Sequence, residues 1–184
     1  MAKLVKGDKF PNYTVDTVYE TGKTIEQLMD GKPTMFWFQR YIGCPPCRLD
    51  VHLLMNAKPQ FDEKGVNIII VMQSKPEIVQ RDMGDQTLPF HLICDPTESL
   101  YKDLEIGSMD PDNRPEMNEE ERKKMAYKMQ GITEMGITHG DYEGNERQLP
   151  AFFYVDKDMT VLEAHYAKNI ADMPLAAEAL AKIK

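Results

Sequence analysis

Four consecutive residues, Cys44-Pro45-Pro46-Cys47, carry the clearest chemistry in this chain. Two thiols at this spacing come into contact across one helical turn, and they follow directly on the apolar run Pro33-Thr34-Met35-Phe36-Trp37-Phe38. A thiol pair at the end of a predicted strand is suited to a reversible dithiol/disulfide cycle. Because Pro46 biases Pro45 away from the α region, the helix is expected to begin with Pro46 at its first position and Cys47 in its first turn. Cys44 then lies just ahead of a helix N-terminus, where the macrodipole and the free N–H of Cys47 or Arg48 favour thiolate over thiol. Arg40 and Arg48 are the nearest fixed positive charges in sequence and can add to that effect. Cys44 is the expected nucleophile, and Cys47 the resolving thiol that attacks the mixed disulfide or sulfenic acid formed on it.

Other chemical residues carry weaker signals. Cys94, between Ile93 and Asp95, reads as an inert buried thiol. His52, His91, His139 and His165 are widely spread, so a zinc site using Cys44 and Cys47 lacks a second ligand pair. Leu149-Pro150 stands immediately before the run Ala151 to Val155, and a proline at the first residue of a strand costs no ladder bond.

The elements that must position the dithiol alternate between apolar runs and helix-start signals. Thr34 to Phe38, Val66 to Met72, Phe90 to Ile93, Ala151 to Val155 and Thr160 to Ala164 are rich in β-branched and aromatic residues. Four patterns place a side-chain acceptor three residues before Glu or Gln: Thr24 to Gln27, Ser74 to Glu77, Asp95 to Glu98 and Asn118 to Glu121. Asp172 is expected to cap a last helix with Pro174 in its first turn and Leu175, Ala176, Leu180 and Ala181 facing inward. Strands and helices in this order predict an α/β fold, a mixed sheet flanked by helices.

One stretch breaks the rhythm. From Gly107 to Gln148 the chain is strongly polar and holds five of the 13 methionines, which marks it as an insertion in the single domain expected over residues 1–184. It carries one helix from Glu119 to about Gln130, ended by Gly131. Met125, Met129 and Ile132 are expected to face the body, and the charge run Glu119 to Lys124 to face solvent with i,i+4 pairs. A lid over the dithiol or a homodimer contact is the sharper use for it.

A formal charge of −8 argues against a nucleic-acid backbone or an anionic membrane as partner. Met1 to Gly7 lacks the apolar core of a signal peptide, and Ile68 to Met72 is too short to cross a bilayer, so a cytoplasmic location is the expectation. In a reducing compartment a lone Cys-x-x-Cys is a catalytic or metal-binding pair rather than part of a disulfide framework.

The runs WFQRYIGCPPCR from Trp37, LPFHLICDPTESLYKDL from Leu88 and LPAFFYVDKDMTVLEAH from Leu149 resemble a thioredoxin-fold redoxin. More closely, they resemble peroxiredoxin-like members of the alkyl hydroperoxide reductase/thiol-specific antioxidant (AhpC/TSA) family. The resemblance covers nearly the whole chain outside Gly107 to Gln148. It implies a thioredoxin-like fold, an antioxidant thiol–disulfide oxidoreductase with no cofactor beyond a redox-active Cys44–Cys47 disulfide, and a cis Leu149–Pro150 bond beside Cys44. It also implies a peroxide or a protein disulfide as oxidant and a thioredoxin-like reductant. Typical members carry Pro and Thr or Ser seven and three residues before the peroxidatic cysteine. Counting back from Cys44 gives Trp37 and Tyr41, and from Cys47 gives Arg40 and Cys44, so the pattern is missing in both registers. Arg147 is the candidate for the arginine that typical members bring from a later strand. Met159 stands where many relatives have glycine in a hairpin turn. A zinc-binding module and a catalytically inactive interaction module of the same fold are the alternatives to the enzyme.

Overall fold

The computed structural model of the chain describes residues 3–183. In chain order the elements are β1 (Thr14–Thr17), β2 (Lys23–Thr24), α1 (Ile25–Met29), β3 (Thr34–Phe38), α2 (Pro45–Glu63), β4 (Asn67–Met72), α3 (Pro76–Met83), β5 (His91–Cys94), α4 (Ser99–Asp103), α5 (Glu119–Glu134), β6 (Ala151–Val155), β7 (Val161–Tyr166) and α6 (Ala176–Ala181). Seven strands form one open mixed sheet in the order β2-β1-β5-β4-β3-β6-β7. β3, β4 and β5 run parallel, while β1, β6 and β7 pair antiparallel with their neighbours. This is the thioredoxin-like arrangement of sheet and flanking helices.

The near-continuous apolar character of β3 and β4 follows from helices lying on both faces. Met35, Trp37, Ile68, Ile70 and Met72 point to the side of α2 and α3, where Val51, Leu54, Phe61 and Val79 meet them. Phe36, Phe38, Ile69 and Val71 point to the other side, against Leu28 and Met29 of α1 and Leu100 and Tyr101 of α4. Cys44 and Cys47 belong to the first of these layers, so the dithiol is continuous with the core. Among the described residues no helix is long and apolar enough to cross a membrane.

Several local expectations shift. Thr24 and Asn118 close capping boxes as their patterns predict. Ser74 does not cap α3, whose N-cap is Lys75; its buried hydroxyl accepts instead from the Ile42 N–H at 2.8 Å. Asp95 accepts from the N–H groups of Ser99 and Leu100 at 3.0 and 2.8 Å, so it holds the entrance of α4 although the helix starts later than its pattern implies. α2 begins with Pro45, one residue early; both prolines fit a first turn, which needs no donor from either. Asp172 does not cap α6. It accepts from the Lys168 N–H at 2.9 Å and lies 3.1 Å from His165 Nε2, and α6 starts after Leu175 with Ala179, not Ala181, buried. β1 and β2 are too short and polar to show a strand period.

The insertion helix also turns differently on the body. α5 runs through Gly131 to Glu134 and ends before Gly136, which has φ +64°. Gly131 serves packing instead of termination: a Cβ there would meet both Leu49 methyl carbons at 3.2 Å, so glycine lets α5 approach α2 closely. Met129 is exposed, whereas Ile132 and the aliphatic stem and ammonium of Lys128 are buried. The reason is an ion pair: Lys128 Nζ donates to Asp50 Oδ2 at 2.7 Å, and Gln39 Nε2 donates to the same oxygen at 2.9 Å. The run Glu119 to Lys124 faces solvent only in part: the expected pairs Glu119–Lys123 and Glu120–Lys124 form, but Glu121 is buried against Asn169 and Lys124 turns inward to Glu178.

Lys128→Met should leave the Asp50 carboxylate buried without its cation and destabilise the fold by about 3–5 kcal/mol in urea unfolding. An Asp50→Leu/Lys128→Met double substitution should recover most of that loss, because no unpaired charge then remains inside.

Candidate active site

The loop between β3 and α2 is held at the carboxyl ends of the parallel strands, the place where open α/β sheets present their chemistry. The Gln39 N–H donates to the Val71 carbonyl at 2.9 Å and the Gln73 N–H to the Arg40 carbonyl at 2.8 Å, so the pairing of β3 with β4 continues past the strand ends. Ser74 fixes Ile42 from below. Arg48 reaches back from α2, its Nε donating to the Ile42 carbonyl at 3.1 Å and its Nη2 pairing with Asp82. The Arg48 guanidinium is thereby committed to the loop and to α3, and the expectation that it turns toward the sulfur is corrected.

Cys44 is the N-cap residue of α2, and its carbonyl accepts the first helical bond from the Arg48 N–H at 2.9 Å. Both thiols are free and buried, with 0% exposure at Cys44 and 4% at Cys47. The Cys47 thiol donates to Cys44 Sγ at 2.7 Å, and Arg40 Nη2 donates to the same sulfur at 3.0 Å. The Cys47 hydrogen bond is the main influence lowering the Cys44 pKa to about 6; burial opposes it and the Arg40 charge reinforces it. The Cys47 N–H adds a weaker pull without closing a cap hydrogen bond. Cys47 moves the opposite way, well above an ordinary thiol, because it is buried and its proton is held by Cys44. A shared proton thus divides the pair into one thiolate and one thiol near neutral pH.

Tyr41 is buried, and burial pushes its phenol up to about 12 against the pull of Arg40. Its hydroxyl lies 3.4 Å from His139 Nε2, and the His139 ring lies 4.2 Å from that of Tyr142, tilted by 32°. Pro46 and Pro150 line a small cavity beside Cys47, together with Gln39, Asp50 and Lys128. Pro150 is therefore at the dithiol, as the resemblance implies, but its bond to Leu149 is trans, as are all the described peptide bonds. The chain enters β6 in an extended approach fixed by the Leu149 N–H on the Gly107 carbonyl at 3.0 Å, which a trans bond accommodates. Arg147 is exposed; its main chain pairs with Met109 and Asn145, and its side chain has no hydrogen bond or ion pair among the described residues. The guanidinium at the sulfur belongs to Arg40. Cys94 is buried at the end of β5, and burial, with Glu143 adding to it, raises its thiol to about 12.

The sequence reading missed Gln39, Asp50 and Lys128, which meet only because α5 lies across α2. A lid over the dithiol is one alternative for the insertion, but not through the segment after α5 that covers the loop. The Gly140 N–H donates to the Gly43 carbonyl at 2.8 Å, and Arg40 Nη1 donates to the Glu146 carbonyl at 2.7 Å. Among the described residues no group of three or more His, Cys, Asp or Glu side chains gathers in a form able to hold a metal ion.

The ultraviolet absorbance of the thiolate in reduced protein should titrate with a midpoint near pH 6, the value to which Cys44 is lowered. Above that pH the thiolate is present, and it is lost as pH falls through it. Cys47→Ala should raise the midpoint most, since it removes the strongest donor, and Arg40→Met should raise it less.

The profile of the AhpC/TSA family matches residues 6–164. No curated protein sequence matches the chain significantly. Among solved structures, peroxidoxin BcpB from Mycobacterium tuberculosis is similar with a TM-score of 0.69 at 13% identity, over 98% of this chain and 96% of that one. Xylella fastidiosa PrxQ is similar with a TM-score of 0.67 at 15% identity, over 96% and 93% of the two chains. A putative thiol:disulfide interchange protein DsbE from Chlorobium tepidum is similar with a TM-score of 0.61 at 18% identity, over 98% and 95%. These likenesses agree on the fold, and the match across residues 6–164 places the chain in the AhpC/TSA family.

Proposed function

We propose that this protein is a cytoplasmic, peroxiredoxin-like thiol–disulfide oxidoreductase that reduces small hydroperoxides through Cys44 and Cys47. The observation that carries the reading is the sulfur pair itself: a thiol 2.7 Å from a sulfur that a guanidinium also contacts at 3.0 Å. The Cys44 thiolate attacks the distal oxygen of the hydroperoxide. The O–O bond breaks, the leaving alkoxide takes a proton, and Cys44 becomes a sulfenic acid. Cys47 then gives up its proton and attacks the Cys44 sulfur, water leaves, and a Cys44–Cys47 disulfide remains. A protein dithiol of thioredoxin type restores both thiols by exchange and is itself oxidised. Arg40 holds the thiolate and faces the charge that develops on the departing oxygen. The cycle draws on no cofactor besides the disulfide.

Cys44 with 0% exposure is closed to any oxidant until the structure opens locally, and a small hydroperoxide needs far less opening than a folded protein disulfide, which supports the small oxidant. A second reading, reduction of protein disulfides, is favoured by Trp37 and Tyr41, which stand where typical peroxiredoxins carry Pro and Thr or Ser.

Stopped-flow oxidation by a hydroperoxide and by a protein disulfide separates the two. Cys44→Ser should abolish turnover with either oxidant. Cys47→Ser should leave a single stoichiometric reaction and trap the sulfenic acid or mixed disulfide on Cys44. Equal residual activity in the two variants would refute the division of labour, and faster reaction with the protein disulfide would favour the second reading.

A further inference from the structure

The segment 137–147, between α5 and β6, lies over the loop that carries Cys44, and its attachments are unusually specific. Gly43 is so close to it that a Cβ there would fall 2.2 Å from the Asp141 carbonyl oxygen and 2.9 Å from the Asp141 nitrogen. Glu143 accepts from the Lys75 N–H at 2.9 Å, the Asn145 N–H donates to Gln73 Oε1 at 2.5 Å, and Arg81 pairs with Asp141 at 2.9 Å. These contacts tie the segment to the end of β4 and to α3, and beneath it Cys44 has 0% exposure.

One further attachment differs in kind. Arg40 spends one arm on Cys44 Sγ, at 3.0 Å, and the other on the Glu146 carbonyl, at 2.7 Å. Its Nε is buried without a partner, and among the described residues no carboxylate pairs with it. The thiolate is therefore the anion that holds this half-buried guanidinium under the segment. When Cys44 forms its disulfide with Cys47, the sulfur becomes neutral and Arg40 is left as a cation without a counter-ion. A charge in that position is costly unless it reaches water. The arm on Glu146 makes the exposed contact and the arm on Cys44 the partly buried one, so a guanidinium drawn toward water shifts against the strap that covers it.

We propose that segment 137–147 is a redox-latched strap: closed over the reduced dithiol, where brief local opening passes a small hydroperoxide but not a protein disulfide, and released over the Cys44–Cys47 disulfide, where a protein dithiol must enter. This rests on the cycle proposed above and adds what sets the partner class in each half of it. Arg40 reads the charge on Cys44 and transmits it to the strap through the Glu146 carbonyl. No new bond is required beyond those of the cycle, since the disulfide formed at the sulfur is itself the signal.

Hydrogen–deuterium exchange of segment 137–147 in the reduced protein and in protein oxidised chemically with diamide tests the latch without depending on peroxide turnover. Exchange in the strap should rise by about tenfold or more on oxidation while β3 and β4 stay protected. Arg40→Met should abolish that difference between the two states. Gly43→Ala, whose added carbon collides with the Asp141 main chain, should leave the strap fast-exchanging in both states and let a bulky maleimide label reduced Cys44 about tenfold faster than in wild type. Glu143→Ala, which touches neither sulfur, should act in the same direction if Gly43→Ala does not fold. Equal strap exchange in the reduced and oxidised wild type overturns the latch even if peroxide oxidises the dithiol normally. Failure of peroxide and disulfide alike to oxidise Cys44 would instead overturn the function on which it rests.

Discussion

The rest of the site depends on one constraint: a negative sulfur inside a dry protein must be surrounded by donors that cannot leave. Cys44 has no exposure to solvent, so its charge is held by the Cys47 thiol and the Arg40 guanidinium. Burial by itself would raise its pKa, yet the value falls to about 6 because the donors outweigh burial. The same proton that stabilises Cys44 is the one Cys47 must later lose. Nucleophile and resolving thiol are thus distinguished by the hydrogen bond they share, by the Arg40 donor on Cys44 and by the burial that raises Cys47, and neither residue can be tuned without changing the other.

Holding that geometry falls to the sheet. β3 and β4 pair in parallel register from Thr34 with Asn67 to Phe38 with Val71, and the pairing carries on into the loop through Gln39 and Gln73. The loop is then pinned from three directions: by Ser74 below Ile42, by Arg48 and Asp82 across to α3, and by the first turn of α2. Pro45 and Pro46 suit that first turn because it asks for no donor, and they restrict the backbone between the two sulfurs. A nucleophile placed this way sits at the carboxyl end of the sheet, where core rigidity is transmitted to it directly.

Local signals in the sequence were sufficient for the parts of the fold that are local. The bounds of β3 and β6, the capping boxes at Thr24 and Asn118, and the pairing of the dithiol with the entrance of α2 were all legible. What escaped depends on contacts far apart in the chain. Gly131 looks like a helix terminator until Leu49 of α2 is set against it. Ser74 looks like a cap until Ile42 takes its hydroxyl. Lys128 looks solvent-facing beside Met125 and Met129, yet it is buried because Asp50 draws it in, and Arg40 could be told from Arg48 and Arg147 only once Asp82 had engaged Arg48. In each case a partner supplied by another element, apolar for Gly131 and polar for the others, overrode the local preference, and period-based reasoning contains no term for such a partner.

The insertion gains its meaning from the same contacts. An appended surface helix would need only an apolar stripe, but α5 presents Lys128 to a carboxylate one turn beyond Cys47, and the chain that leaves α5 presents a carbonyl to the arginine at Cys44. The two attachments approach the dithiol from opposite ends, one through α2 and one over the loop. Gly43 and Gly140 make the second approach sterically allowed, since a Cβ on either would fall within 3.0 Å of its neighbour. Residues 107–148 therefore complete the enclosure of a sulfur that the sheet and α2 alone would leave open on one side. That enclosure is what makes the choice of donors at Cys44 matter, because in water the guanidinium would contribute far less.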